Sequence, residues 1–230
     1  MFIDIGDQKL YYEVIGSGRP LIMVHGNGED HRIFTEASEV LKEHFTLFLV
    51  DSRGHGQSSQ TDELHYEQMA DDYVGFMEQI DLHDLVFYGF SDGGIIGLLA
   101  AMKSERISRL IISGANLTPD GLKISLRLFY KIQYSFKKDP RTALMLKEPH
   151  IDVQDLSAIR IPVTVIAGER DVIRLAHTRQ IADSIPFSRL RIIPDASHSS
   201  YIVHRREIAD IILEETHYDS SIQHDKAVEY

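Results

Sequence analysis

Six short apolar runs, each bounded by Gly, Pro or Asp, constrain the fold of this 230-residue chain more than any other feature. They are Pro20–Val24, Thr46–Val50, Leu85–Tyr88, Leu110–Ile112, Pro162–Ala167 and, more weakly, Leu190–Ile193. None shows the polar alternation of a half-exposed strand, so they read as parallel strands covered on both faces. Lys9–Ile15 adds a strand that ends at the turn Gly16-Ser17-Gly18. Helical patterns over Ile33–His44, Tyr66–Ile80, Ile95–Lys103 and Thr178–Ile185 lie between most of them. Strands alternating with helices of this length imply right-handed βαβ crossovers and a mostly parallel sheet with helices on both faces.

The alternation breaks once. More than forty residues without a strand signal separate Ser113 from Ile161. Within them, Gly121–Lys138 carries Leu122, Leu126, Phe129, Tyr130, Ile132 and Phe136 at three- and four-residue spacings, the pattern of an amphipathic helix. Pro140 and Pro149 leave room for a second short helix. The expected organisation is a core of residues 1–116 and 157–230, with residues 117–156 inserted as a small helical lid. The alternative is a peripheral helix pair that only packs on the core. After His217 the tail turns polar and is expected to fray.

Composition narrows the partners. The formal charge is −11, which disfavours phosphate backbones and anionic membranes, so neither nucleic acid nor a membrane is expected. There are no cysteines, which removes disulfides and thiol chemistry and fits a reducing compartment. The first residues lack the basic start and apolar run of a signal peptide, and a cytoplasmic location is the expectation. The histidines show no metal-ligand spacing, so neither metal nor cofactor is expected.

Chemistry concentrates around Gly89-Phe90-Ser91-Asp92-Gly93. The pattern Gly-x-Ser-x-Gly arises by chance about 0.08 times in a chain of this composition, so context must decide. Here an apolar strand precedes it and a helical run follows, the strand–turn–helix setting of a nucleophile elbow. A serine hydroxyl needs a base to take its proton, and the base needs a third group to fix its tautomer. Asp171 and His198 each follow a later strand, giving the order Ser, acid, His. Glu169 and Asp195 are rival acids. An oxyanion would be held by the backbone N–H of Asp92 and by one from His25-Gly26-Asn27-Gly28, where Asn27 is the chosen donor and His25 orders the loop. Asp92 has two readings. Its carboxylate either complements the helix dipole or pairs with a cationic group of the substrate. Leu126, Phe129 and Tyr130, within about a turn of one another on the inserted helix, are candidate pocket residues.

With Asp51-Ser52-Arg53-Gly54-His55-Gly56-Gln57-Ser58 added to these motifs, the chain resembles the α/β-hydrolase-fold superfamily from about Lys9 to Tyr201. The Ser-Asp-Gly-Gly elbow is similar to that of the biphenyl-hydrolase-like branch. The resemblance implies that Arg53 and His55 order their loop, and that the lid is small for the superfamily. It also implies a serine hydrolase that cleaves a small carboxylic ester, possible variants being a thioester, a lactone or an amino-acid ester, through an acyl-enzyme. Two alternatives stay open: carbon–carbon bond hydrolysis by the same machinery, and a slow-turnover ligand receptor. The oligomeric state is not legible.

Overall fold

In the computed structural model of the chain, residues 1–217 are described. The tail beyond His217, expected to fray, lies outside them. Eight strands form one sheet: β1 (Phe2–Ile5), β2 (Gln8–Gly16), β3 (Arg19–Val24), β4 (Phe45–Val50), β5 (Leu85–Phe90), β6 (Ile107–Ser113), β7 (Val163–Gly168) and β8 (Ser188–Ile193). Their order is β1-β2-β4-β3-β5-β6-β7-β8. The β1–β2 and β2–β4 pairings are antiparallel, and all others are parallel.

Alternate strand residues feed two separate cores, as the two-residue period of a strand requires. Ile22, Val24, Phe48 and Val50 face one, while Leu21, Met23, Leu47 and Leu49 face the other. The first is covered by α2 (Tyr66–Gln79), α3 (Asp92–Lys103) and α6 (Leu175–Ser184), and the second by α1 (Thr35–Leu41) and α7 (Glu207–His217). The expected helix from Ile33 is split, with the 3-10 turn His31–Phe34 preceding α1. Between β6 and β7 lie α4 (Ile124–Phe136) and α5 (Pro140–Lys147), the two helices expected there. Leu122 stands outside α4 and makes an isolated bridge to Ile173.

Two elements went unread in the sequence. β1 has only four residues, too few for a pattern, and is held by pairing Phe2 with Tyr11 through Ile5 with Gln8. α7 buries Ile208, Ala209 and Ile212, whose helical spacing was a usable signal. Among the described residues no helix is long and apolar enough to cross a membrane.

The chain leaves β3 for β4 on one side and then returns to β5 on the other. Loops leaving β3 and β5 therefore diverge, opening a crevice at the carboxyl ends of the strands, where sites form in open α/β sheets.

Candidate active site

Ser91 sits between β5 and α3 with φ 54° and ψ −113°, outside the comfortable regions for a residue with a side chain. The turn is possible because strand and helix touch without side chains between them. A Cβ on Gly89 would lie 2.1 Å from the Gly93 carbonyl oxygen, and one on Gly93 would lie 2.2 Å from that of Val24. Ser91 occupies the N-cap position of α3, but its hydroxyl makes no capping bond. Instead Oγ lies 3.1 Å from His198 Nε2.

The other ring nitrogen, His198 Nδ1, is 2.7 Å from Asp171 Oδ1. With Nδ1 protonated and donating to the carboxylate, Nε2 is free to accept the serine proton. Burial works to raise the Asp171 carboxyl. The hydrogen bond to His198 and the backbone N–H groups of Ile173 and Gly168 outweigh it and hold it below the ordinary range. The structure thus brings together the three residues singled out in the sequence. The rival acids stay apart from His198: Glu169 accepts from the Asp195 N–H, and Asp195 pairs with Arg170.

The loop after β3 is fixed from both ends. His25 is buried, with Nδ1 donating to Gly26 O at 2.8 Å and Nε2 accepting from Ser52 N–H at 3.1 Å. Burial and the neighbouring His55 push its pKa down to about 4, so the ring is neutral and serves only to order the loop. Arg53 forms a two-pronged ion pair with Asp72 of α2, and His55 Nδ1 donates to Arg53 O. Both act on the loop that carries them, as the resemblance implied. Among the described residues, neither the Asn27 nor the Asp92 backbone N–H donates to a backbone carbonyl. Both residues line the cavity beside Ser91.

The Asp92 side chain answers neither sequence reading fully. It is buried, and its oxygens accept from Asn27 Nδ2 and from the Tyr66 hydroxyl, each at 2.8 Å. It therefore clamps the Asn27 loop to the nucleophile helix. Burial raises its pKa, against the two hydrogen bonds that favour its charged form.

The cavity has a volume of about 210 Å³. Leu126 and Tyr130 of α4 and Met145 of α5 roof it, while Phe129 does not line it. Phe129 is 59 % exposed and meets Tyr130 edge to face, because Leu126 and Tyr130 share the inward face of α4 and Phe129 is turned outward. Among the lining residues that escaped the sequence reading, three are polar groups beside the Asn27 loop or its clamp: Tyr66, Glu29 and Glu148. Glu148 accepts from His65 Nδ1 and Tyr66 N–H. Glu29 accepts from Gly26 N–H, and its pKa is pushed up to about 7, chiefly by burial. Each lies far in sequence from Ser91, so no local motif could mark it. Among the described residues, the lining carries three carboxyl groups and no lysine or arginine.

Asp30, His31 and Asp51 bring potential metal-ligand atoms within 4.8 Å of one another. All three side chains are engaged by protein partners. Asp51 accepts from the backbone and ring of His31 and from Gln57 N–H, while Asp30 pairs with Arg32.

Over 234 residues the chain is 26% identical to the mouse protein named serine hydrolase BPHL, covering 87% of this chain and 80% of that one. It is 30% identical over 104 residues to a pimeloyl-[acyl-carrier protein] methyl ester esterase of Aliivibrio fischeri. That match covers 45% of this chain and 39% of the esterase, so the chain spans about two fifths of that relative's length. The enol-lactonase of Burkholderia xenovorans superposes with a TM-score of 0.79 at 18% identity, covering 95% of this chain and 100% of that one. A thermophilic esterase of Thermogutta terrifontis, an N-acyl homoserine lactone degrading enzyme and a meta-cleavage product hydrolase of Pseudomonas fluorescens share this fold. The sequence profile of the alpha/beta hydrolase fold matches residues 19–144, more than half of the chain, and the chain belongs to the α/β-hydrolase-fold family of hydrolases.

Proposed function

We propose that this protein is a serine hydrolase that cleaves small carboxylic esters of neutral or cationic character through an acyl-enzyme. One observation carries the reading: the Ser91 hydroxyl, free of any capping bond, faces a histidine whose far nitrogen is held by a buried carboxylate. In the first half-reaction His198 Nε2 takes the proton as Ser91 Oγ bonds to the ester carbonyl carbon. The backbone N–H groups of Asn27 and Asp92 hold the oxygen that becomes negative. Collapse breaks the bond to the alkoxide, which leaves as an alcohol with the proton from His198. Water then repeats the sequence on the acyl-serine, giving the acid and free Ser91.

Two features narrow the substrate. A cavity of about 210 Å³ is below the roughly 300–1,000 Å³ of sites for drug-sized ligands, which favours short acyl groups. A lining with the acidic groups Glu29, Asp92 and Glu148 and, among the described residues, no lysine or arginine offers an anion no counter-charge, which disfavours substrates that carry a carboxylate or phosphate near the scissile bond. Residues 117–156 act in this reading as a small lid, with Leu126, Tyr130 and Asp92 bordering the acyl pocket. The name of the mouse relative supports serine chemistry, and that of the Aliivibrio relative supports an ester substrate.

The test is a panel of nitrophenyl esters matched in length and differing in charge. Short neutral and α-amino esters should turn over repeatedly, and ω-carboxylate esters at least about tenfold more slowly, the equivalent of about 1.4 kcal/mol. A preference for the anionic esters would overturn the substrate class. A single slow turnover on every ester would overturn the enzyme reading in favour of a ligand receptor.

A further inference from the structure

α4 shows its larger apolar face to solvent. Ile124, Leu128, Ile132 and Phe136 recur every four residues and share one side of the helix, with Phe129 beside them. All five are exposed, Phe136 by 88% and Ile124 by 71%. The smaller inward face, Leu126 and Tyr130, is the part that meets the cavity. A contiguous exposed apolar stripe of this kind marks a contact surface.

Charge identifies what the stripe meets. Residues 121–138 contain Lys123, Arg127, Lys131, Lys137 and Lys138 and no acidic residue, in a protein whose formal charge is −11. Arg127 pairs with Asp120, while Lys123, Lys131, Lys137 and Lys138 are exposed ammonium groups along the helix and at its ends, the last lying over the Tyr134 ring. At physiological salt, charges more than about 8 Å away are largely screened, so this local sign governs what approaches α4. A two-fold pairing of the stripe with itself would set lysine against lysine, which disfavours a second copy as the occupant.

We propose that the outer face of α4 docks on an anionic lipid–water interface. Ile124, Leu128, Phe129, Ile132 and Phe136 enter the acyl boundary, and the flanking lysines meet lipid phosphates. The expectation drawn from net charge is thereby reversed locally, since the whole-molecule sum hides a basic apolar strip. Docking in this orientation holds the cavity under the inward face of α4, next to the surface from which an amphiphilic ester would arrive.

The proposal does not depend on the catalytic reading, so it is tested on the full chain carrying Ser91→Ala. Flotation uses phosphatidylcholine vesicles with and without phosphatidylglycerol. The protein should float with the anionic vesicles and far less with the neutral ones. Each of Lys131→Gln and Lys137→Gln should weaken partitioning about fivefold, and added salt should weaken it too. Phe129→Ser with Phe136→Ser should abolish it at unchanged Tm, since neither ring is buried. Equal binding to both vesicle types, or binding to neither, overturns the proposal. So does a dimer in sedimentation equilibrium that Phe136→Ser dissociates, which would assign the stripe to a second copy.

Discussion

Glu29 lies where the oxyanion loop meets the cavity, with its carboxyl pushed up to about 7 by burial and by Asp92, against the Gly26 N–H and His198 that favour its charge. A carboxyl raised from 4.5 to about 7 on folding stabilises the protein fully below about pH 4.5 and loses that contribution as pH rises through 7. Glu29→Gln should therefore gain stability over wild type across that window, by on the order of 1–2 kcal/mol once partial exposure is discounted. Melting curves of the two proteins at acidic and mildly alkaline pH check this, and curves that stay parallel would contradict it. An ionised Glu29 beside the developing oxyanion should also lower kcat/KM above about pH 7 in wild type but not in Glu29→Gln. A second prediction concerns the acid. Asp171→Asn should lower kcat by about 10⁴, because the imidazole is held in the wrong tautomer, while Glu169→Gln should stay near wild type. The reverse pattern in steady-state assays would move the acid to Glu169. The sequence already carried Ser91, Asp171 and His198, because each follows a strand and strand ends are legible. Glu29, Tyr66 and Glu148 were not legible, because what brings them to Ser91 is tertiary packing over separations without a local pattern.

The elements repeat the lesson for a different reason. Continuous apolar runs marked the six parallel strands, since a buried parallel strand has no other way to be written, and β2 was legible from the β-rich composition of Lys9–Ile15. β1 is four residues long and exists by pairing with β2, so its cause lies outside its own sequence. α4 was legible as a helix but not in its orientation. Its wide apolar stripe suggested a face turned to the site, whereas most of that stripe points to solvent. Selectivity should follow the geometry. Leu126→Ala or Tyr130→Ala should shift the preferred acyl length with a small change in Tm, and Phe129→Ala should leave it unaltered. Kinetics on a homologous ester series check this, and an effect of Phe129→Ala equal to the others would show that α4 sits differently. α7 should matter for stability alone. Ile212 is fully buried against the sheet, and Ile212→Ala should cost about 2–5 kcal/mol in urea unfolding with kcat retained in the folded protein.

Across the whole molecule, a single device joins fold to chemistry. Parallel strands of one sheet deliver Ser91 from β5, Asp171 from beyond β7 and His198 from beyond β8 to one edge of the sheet, where the β3 loop brings Asn27. Two cores, one on each face of the sheet, hold that edge rigid. The strained Ser91 backbone persists because Gly89 and Gly93 allow strand, helix and β3 to close on it. The central claim is that Ser91 is the acylated nucleophile. It is tested most directly by labelling the native protein with a fluorophosphonate and locating the adduct by peptide mass spectrometry. One label per chain on Ser91, with matching loss of esterase activity and no labelling of Ser91→Ala, is the predicted result. A label on another serine, or a Ser91→Ala protein that still hydrolyses esters at the wild-type rate, would contradict it.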